Sequence, residues 1–194
     1  MSSNIVIVDG HPHAGGGHFI HALADAYAKG AKAGGHEVSR VDIAALDFPL
    51  LADPADWAKG APPALKAAQD AVSAANHLVF LYPLWLGAMP AKLKGFLEQL
   101  SAGGFVMEVS EDGKKWTQKL KGKSARIIVT MGMPAAVYRY YFGGHSLKSF
   151  ERNILKFAGV NPVRDTIIGL VENRSDADRK RVLKRIEALG ADAR

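Results

Sequence analysis

The sequence predicts an α/β protein built on a doubly wound, five-stranded parallel sheet. Short runs of bulky apolar residues, of the length expected for strands buried on both faces, alternate with segments of helical periodicity. Such alternation implies right-handed βαβ crossovers, with helices covering both faces of the sheet. Five strands favour the order 2-1-3-4-5, in which ligands bind at the carboxyl ends of the first and third strands. We expect a single domain over residues 1–194, since that length can bury one hydrophobic core.

The strands are predicted from their apolar content and from the turn residues around them. The second strand alternates between polar and apolar positions, which indicates a place nearer the edge of the sheet. The other four are mostly apolar runs. The predicted strands are residues 5–8, 37–43, 78–82, 125–130 and 166–171.

Amphipathic patterns predict the helices that connect these strands. The first helix begins near Phe19 and ends near Gly34 and Gly35, a pair suited to a helix C-cap. The other helices are predicted around residues 65–75, 93–100, 147–157 and 182–189.

Two further segments are predicted to lie outside the regular α/β pattern. Residues 47–63 contain four prolines and have no clear period, so they are predicted to form a long loop. Residues 105–109 and 115–120 are predicted to pair as a small β-hairpin, because the Asp-Gly step of Glu111-Asp112-Gly113 favours its turn.

The stretch from residue 78 to residue 100 is the centre around which the chain is organised. Its strand should end at Pro83, which has no N–H for the next ladder, and Pro90 suits the first turn of the following helix. Residues 83–89 carry no polar side chain, although loops normally contact water. A flat aromatic ligand or a partner subunit would cover this loop. The alternative is a loop packed beneath a neighbouring helix, and periodicity alone leaves both open.

The first loop, residues 10–17, has the sequence GHPHAGGG. Its glycines let the backbone approach a ligand, and the free N–H groups at the start of the next helix attract phosphate. The loop matches neither a Walker motif nor G-x-G-x-x-G. A zinc site is the alternative, because histidines at such spacings can bind zinc, but it would leave the glycines without a role. We therefore predict no metal at these four histidines: His11, His13, His18 and His21.

Composition narrows the classes of function. The chain has no Cys, which excludes disulfides, a thiolate nucleophile and cysteine metal sites. Its net charge of +6 is spread along the chain rather than gathered with aromatic residues, which argues against a nucleic-acid binder. The first residues lack the pattern of a signal peptide, and no apolar run approaches the length of a membrane span. We therefore expect a cytoplasmic protein.

The central stretch also carries a family resemblance. Residues 82–100, YPLWLGAMPAKLKGFLEQL, resemble the flavin-ring-binding segment of NAD(P)H:quinone oxidoreductases, a family of flavodoxin-like enzymes. The shared pattern is an aromatic residue, Pro and Leu, then apolar or aromatic positions, and finally Pro-Ala-x-Leu-Lys-Gly. The resemblance implies a flavodoxin-like fold. It also implies that five residues lie against the isoalloxazine ring: Pro83, Leu84, Trp85, Leu86 and Gly87.

The same resemblance is imperfect in the first loop. The family usually has a His, a short spacer and then Ser-Phe-Asn, whereas this chain has a longer spacer with His18 and Ile20 at the Ser and Asn positions. The family's phosphate contacts therefore do not transfer directly. The cofactor contacts implied here are His11, Gly16, Gly17, His18 and Phe19.

A second loop, residues 131–144, follows the fourth strand of the sheet. The resemblance implies that Thr130, Met131 and Gly132 border the pyrimidine edge of the flavin through their backbone. It further implies that Tyr138 and His145 steady an oxygen of the reduced flavin while hydride passes. A phenol and an imidazole can supply a hydrogen bond or a proton where negative charge develops.

The resemblance implies an enzyme that passes hydride from NADH or NADPH through a flavin to a quinone or similar small acceptor. FMN is the first choice of cofactor and FAD the second. The alternatives are a flavin-binding regulatory subunit of a potassium efflux system and a one-electron flavodoxin, against which the positive net charge argues. Residues 84–89 and 140–142 expose apolar side chains in loops, which predicts a homodimer.

Overall fold

A computed structural model describes residues 2–110 and 112–194 and contains a five-stranded parallel sheet. Its strand order is β2-β1-β3-β6-β7, which confirms the predicted order 2-1-3-4-5 once the two hairpin strands β4 and β5 are set aside. The strands of the sheet are β1 (Asn4–Asp9), β2 (Glu37–Asp42), β3 (His77–Pro83), β6 (Ser124–Thr130) and β7 (Val163–Ile168). The hairpin strands are β4 (Met107–Val109) and β5 (Trp116–Gln118).

Burial follows the position of each strand in the sheet. The central strands β1, β3 and β6 are buried along almost their whole length, because helices cover both of their faces. The edge strands β2 and β7 alternate between buried and more exposed positions. The predicted edge position of the second strand is thus confirmed.

The helices divide between the two faces of the sheet. α1 and α6 cover one face, together with the side chains of Ile5, Val79 and Ile128. The helices α3, α4 and α5 cover the other face, together with Val8, Phe80 and others. The helices are α1 (Phe19–Ala33), α2 (Pro54–Ala58), α3 (Lys66–Ala74), α4 (Ala91–Ser101), α5 (His145–Ser149) and α6 (Asp176–Ala191).

The central stretch folds as predicted. Leu93, Phe96 and Leu100 of α4 are buried at helical spacing, and Pro90 caps the start of that helix. β3 extends one residue further than expected, because Pro83 keeps its place in the ladder opposite Thr130 although it donates no hydrogen bond. At the end of the first helix, Gly34 is the C-cap and Gly35 has a φ of 78°, as the glycine pair predicted.

Two predicted loops are wrong in part, because each contains a short helix. Residues 47–63 include α2, whose N-cap Asp53 accepts a hydrogen bond from the backbone N–H of Ala55 at 2.8 Å. Residues 131–144 include a π-helical turn at Val137–Tyr141. Neither short helix shows a helical period in the sequence. Prolines interrupt the pattern in residues 47–63, and glycines and methionines interrupt it in residues 131–144.

The helix predicted at residues 147–157 exists but changes type along its length. α5 continues directly into a π-helical segment, Phe150–Lys156. A π-helix bonds i to i+5, so Leu155 rather than Ile154 follows Phe150 into the core. The expected inward position of Phe157 is wrong, since that ring is 45% exposed and contacts Trp116 of β5.

The last strand lies three residues earlier than predicted. Residues 163–165 pair with β6, although Arg164 and Asp165 are charged, because an edge strand tolerates polar side chains. The chain turns after Ile168, where a Cβ on Gly169 would lie 2.6 Å from the carbonyl oxygen of Met133 and Leu170 has a φ of 55°.

The predicted hairpin is confirmed in a shorter form, with Met107 opposite Gln118 and Val109 opposite Trp116. Glu111, named in its predicted turn, lies outside the described residues. No helix within the described ranges is long and apolar enough to cross a membrane.

α1 and α6 approach each other through two glycines. A Cβ on Gly30 would lie 1.8 Å from the carbonyl oxygen of Glu187, and one on Gly190 would lie 2.2 Å from that of Tyr27. Both obstacles are backbone atoms, which cannot rotate away. The spacing between these helices therefore depends on the absence of side chains at both positions.

Gly30→Ala should lower the free energy of unfolding by about 1–3 kcal/mol, because the extra methyl group would push the two helices apart. Helix propensity alone favours alanine by about 1 kcal/mol, so the packing argument predicts the opposite sign. Urea unfolding followed by circular dichroism measures the difference. Lys32→Ala, at an exposed position of α1, is the control and should change little. A Gly30→Ala protein as stable as the wild type would contradict this close approach.

Candidate functional site

The candidate site lies where β1 and β3 end and their chains leave toward opposite faces of the sheet. A cavity of about 390 Å³ opens at this edge. Seven predicted site residues line it: His11, Gly17, His18, Phe19, Pro83, Trp85 and Thr130. The structure adds four that sequence reasoning missed: Ile20, Val171, Glu172 and Arg179.

The first loop presents backbone N–H groups at the start of α1. His18 is the N-cap residue, with extended backbone, and its side chain does not cap the helix. The first turn of α1 contains no acidic residue, so nothing there competes with a bound anion. Gly17 has a φ of 87°, which favours glycine, and both Gly16 and Gly17 are exposed with open space around them. This helix start can accept a phosphate group.

The histidine rings of this loop contact one another. His11 stacks on His18 with their ring centroids 4.0 Å apart, and His13 Nδ1 lies 3.1 Å from His18 Nε2. Burial and the neighbouring His18 lower the pKa of His11, which favours the neutral form of this ring. Among the described residues, no group of three or more His, Cys, Asp or Glu is placed to hold a metal ion.

Asp9, at the end of β1, is a buried carboxylate that sequence reasoning missed. It is 1% exposed and has three partners. His21 Nδ1 lies 2.6 Å from Oδ2, Arg40 Nη2 donates to the same oxygen at 2.8 Å, and the backbone N–H of His11 donates to Oδ1 at 3.3 Å. The position of Asp9 just before the glycine loop was the available signal.

The loop after β3 forms a tight turn at Trp85–Ala88. The backbone N–H of each end residue donates to the carbonyl of the other, at 2.9 and 3.0 Å. The two central residues, Leu86 and Gly87, have φ of 47° and 78°, the signs of a type I′ turn. Trp85 is 49% exposed and meets the His11 ring edge-on at 5.5 Å, so the turn forms the aromatic wall of the cavity.

Leu84 and Leu86 lie outside this wall. The backbone N–H of Leu84 donates to the carbonyl of Thr130 at 2.8 Å, and its side chain packs against the core. Leu86 is fully exposed at the tip of the turn. The predicted contact of both residues with a flavin ring stays a prediction.

The second predicted loop begins beside the cavity. Thr130 lines it, whereas Met131 is buried beneath, with its N–H donating to Ile168 at 3.0 Å. Gly132 is exposed, and a Cβ there would lie 3.8 Å from the Glu172 carboxylate. Backbone groups of this segment thus lie at the same edge as the first loop.

Tyr138 and His145 sit further along, and neither is among the residues that line the cavity. Tyr138 is 3% exposed, and its hydroxyl lies 2.8 Å from Ser146 Oγ and accepts from the N–H of Leu147 at 3.2 Å. This side chain, which the sequence analysis placed in the second loop, therefore packs in the core. His145 is exposed at the start of α5. Their catalytic role stays a prediction.

Arg179 supplies a permanent positive charge to the cavity from α6. Its Nη2 donates to the carbonyl of Val171 at 2.7 Å, and its guanidinium lies 5.2 Å from the centroid of the Phe19 ring. Glu172 lines the same side. Both residues lie beyond β7, in a segment that the sequence analysis did not assign to this edge.

The site therefore combines two kinds of wall. Helix N–H groups, histidines and Arg179 suit an anionic group, while Trp85, Pro83 and Phe19 suit a flat apolar ring. A ligand with both parts, such as a flavin with its phosphate, fits this set of groups.

The comparisons with known proteins agree with this fold. A family model described as a flavodoxin-like fold matches residues 3–189. The chain belongs to this flavodoxin-like family, which confirms the predicted resemblance at the level of family and fold.

Individual relatives carry oxidoreductase names. The chain is 30% identical to an FMN-dependent NADH:quinone oxidoreductase of Jannaschia sp. over 120 residues, 62% of this chain and 60% of that protein. It is 26% identical to an uncharacterized NAD(P)H oxidoreductase of Haemophilus influenzae over 124 residues, 63% of this chain and 60% of that one. Each match thus spans about three fifths of the relative.

A solved structure matches over the full length. The NAD(P)H:quinone oxidoreductase from Methanothermobacter marburgensis superposes with a TM-score of 0.85 and 20% identity, covering 100% of both chains. At this level of identity the similarity establishes the fold alone.

Proposed function

We propose that this protein is a flavin-dependent NAD(P)H oxidoreductase with FMN as its cofactor. The observation that carries the proposal is the pairing of an uncapped helix start with an aromatic wall around one cavity at the switch point of the sheet. The names of the Jannaschia and Haemophilus relatives support the same activity. They are enzyme names, and so favour an enzyme over a regulatory subunit of a potassium efflux system.

The residues divide the binding of FMN between them. The N–H groups at the start of α1, with His11, His18 and Arg179, would bind the phosphate end. Pro83 and Trp85 would lie against the ring system. Bound flavin supplies two-electron chemistry, accepting hydride and passing it on, while the protein orients it and excludes competing reactions. FMN is preferred because the Jannaschia relative is FMN-dependent by name, and FAD is the second choice.

We further propose a quinone or similar flat molecule as the acceptor, because Trp85 is half exposed and offers an open aromatic surface beside the cavity. Donor and acceptor would use this surface in turn. A cytoplasmic location follows from the supply of reduced nicotinamide there. The chain would act as one flavin-binding domain, since the family match extends over residues 3–189.

The test of this function is reconstitution with FMN followed by anaerobic mixing. NADH or NADPH should bleach the flavin absorbance. Menadione should then restore it, and the flavin should stay bound to the protein throughout. Gly87→Val is the matched variant: a β-branched residue disfavours a φ of 78°, so the turn should distort and flavin occupancy should fall without unfolding. A protein that binds FMN but is not reduced by either nucleotide would favour a regulatory role. One that binds no flavin would refute the proposal.

We propose that His145 and Tyr138 would assist reduction by stabilising the negative charge that hydride transfer places on a bound flavin. His145→Gln should slow reduction by NADPH roughly 10²–10⁴-fold, and less if water takes its place. The unfolding free energy of His145→Gln should not change, since His145 is exposed.

Tyr138→Phe should slow the same step and also destabilise the fold by about 1–3 kcal/mol, because the N–H of Leu147 loses its acceptor. Anaerobic stopped-flow absorbance measures both; wild-type rates in both variants would leave these residues structural.

We also propose a homodimer. Two groups of exposed apolar side chains support it, one in the π-helical turn and one around the hairpin. Exposed apolar patches of this kind usually mark an interface. The groups are Tyr140, Tyr141 and Phe142, and Val109, Trp116 and Phe157.

Light scattering at micromolar concentration should therefore give twice the mass of one chain, since a two-fold dimer is the commonest assembly. Replacing Tyr140 and Tyr141 with Glu should shift the mass to that of the monomer, because charge in a buried contact is costly. Leu50→Glu, at an exposed residue outside both groups, is the control and should stay dimeric. A wild-type monomer in the presence of FMN would refute this proposal.

A further inference from the structure

Asp9 belongs to a closed ring of hydrogen bonds beneath the first loop. Its Oδ1 accepts from the backbone N–H of His11 at 3.3 Å, and His11 Nδ1 lies 3.1 Å from the backbone nitrogen of His13. The carbonyl oxygen of His13 lies 3.1 Å from His21 Nε2, and His21 Nδ1 lies 2.6 Å from Asp9 Oδ2. The ring connects the end of β1, the loop and the first turns of α1.

The two contacts of the His21 imidazole favour hydrogens on both of its nitrogens. Its two nitrogens face a carboxylate and a carbonyl, and both of these groups only accept hydrogen bonds. Each contact is a hydrogen bond only where the nitrogen carries a hydrogen, so the geometry favours a doubly protonated imidazole at His21. Arg40 binds the same carboxylate oxygen, so the buried carboxylate of Asp9 faces both the His21 ring and a guanidinium, which also pairs with Asp25 and Asp42.

The same ring selects one tautomer of His11. The backbone N–H of His13 can only donate, so His11 Nδ1 is the acceptor. That nitrogen also lies 3.2 Å from the His13 carbonyl, but a hydrogen on Nδ1 would face the N–H of His13, which points at the same atom. A neutral His11 then carries its hydrogen on Nε2, on a ring that lines the cavity.

We infer that Asp9 is a positioning residue for the anionic end of the cofactor: through this ring it holds His21 as a cation under the loop and His11 as a neutral Nε2–H donor. The inference rests on the proposed function, because it takes the anion to be the FMN phosphate. Asp9 is 1% exposed and is not among the residues that line the cavity, so it acts through the two histidines. The His11 and His21 rings lie 5.1 Å apart, and of the two only His11 lines the cavity, so His21 supports the loop from beneath.

The experiment compares FMN with riboflavin, which lacks the phosphate, by fluorescence titration of the apoprotein. Asp9→Asn keeps the shape of the side chain but removes its charge, and His21→Gln removes the cation. Each should weaken FMN binding about ten- to a hundredfold, because a displaced His11 would lose its hydrogen bond to the charged phosphate, and leave riboflavin affinity unchanged. Asp25→Asn, which removes another carboxylate bound to Arg40, is the control and should leave both affinities unchanged.

NMR spectroscopy of the histidine rings gives a second readout, which does not depend on flavin binding. In protein labelled with ¹⁵N at histidine, both nitrogens of His21 should be protonated in the wild type, and one should lose its proton in Asp9→Asn.

Equal losses for FMN and riboflavin, or a neutral His21 in the wild type, would overturn the role of Asp9 while leaving the proposed function intact. Wild-type protein that binds neither flavin would overturn both. His21→Gln keeps the inference testable if Asp9→Asn does not fold, because His21 is partly exposed on α1.

Discussion

The separation of two neighbouring strands at one edge of the sheet is the constraint on which this site depends. β1 and β3 pair as far as Asp9 and Leu81, after which the chain leaves toward α1 on one face and α4 on the other. Gly10 lies at the point of separation. Its N–H donates to the carbonyl of Leu81 at 2.7 Å, and a Cβ there would lie 2.8 Å from that oxygen. The crevice thus results from topology, and side chains only line it.

A buried carboxylate at this edge needs compensation, because desolvation of an unpaired charge is expensive. Asp9 obtains it from three elements: His11 in the loop, His21 on α1 and Arg40 on β2. Partial burial alone would lower the pKa of Arg40, but hydrogen bonds to Asp42 and the exposed Asp25 outweigh it and raise the pKa. The polar positions of the edge strand β2 therefore contribute to the site, because one of them, Arg40, reaches Asp9 at the end of β1.

Sequence reasoning found the elements whose pattern is strong and local. The apolar runs of β1, β3 and β6 identified these strands, and the helical period identified α4. The strand order followed from the count of five strands in a doubly wound sheet. The end of β7 was misplaced because Arg164 and Asp165 made an edge strand resemble a loop. That displacement also hid Arg179, whose place at the cavity depends on where the strand ends.

The misses within the site have another cause. The link between Asp9 and His21 joins residues on different elements, and only the angle between β1 and α1 decides whether they meet. Likewise, the inward position of Tyr138 depends on a π-helical turn, which has no periodicity that a short sequence can display. Non-local polar contacts and rare helix types are thus what the residue pattern could not supply.

Leu86 is the residue whose place the isolated chain explains least. An L-residue in the left-handed region costs roughly 1–2 kcal/mol, and Asn or Gly is usual at this point of a type I′ turn. Leu86 is fully exposed, so it gains nothing from burial within the chain. Covering a leucine side chain stabilises by about 1.5–3 kcal/mol, enough to offset the strain. Trp85, its neighbour on the turn, meets His11 at the cavity. The turn thus presents one apolar side chain to the proposed ligand and leaves the other exposed, in the loop that the sequence analysis expected a ligand or a partner subunit to cover.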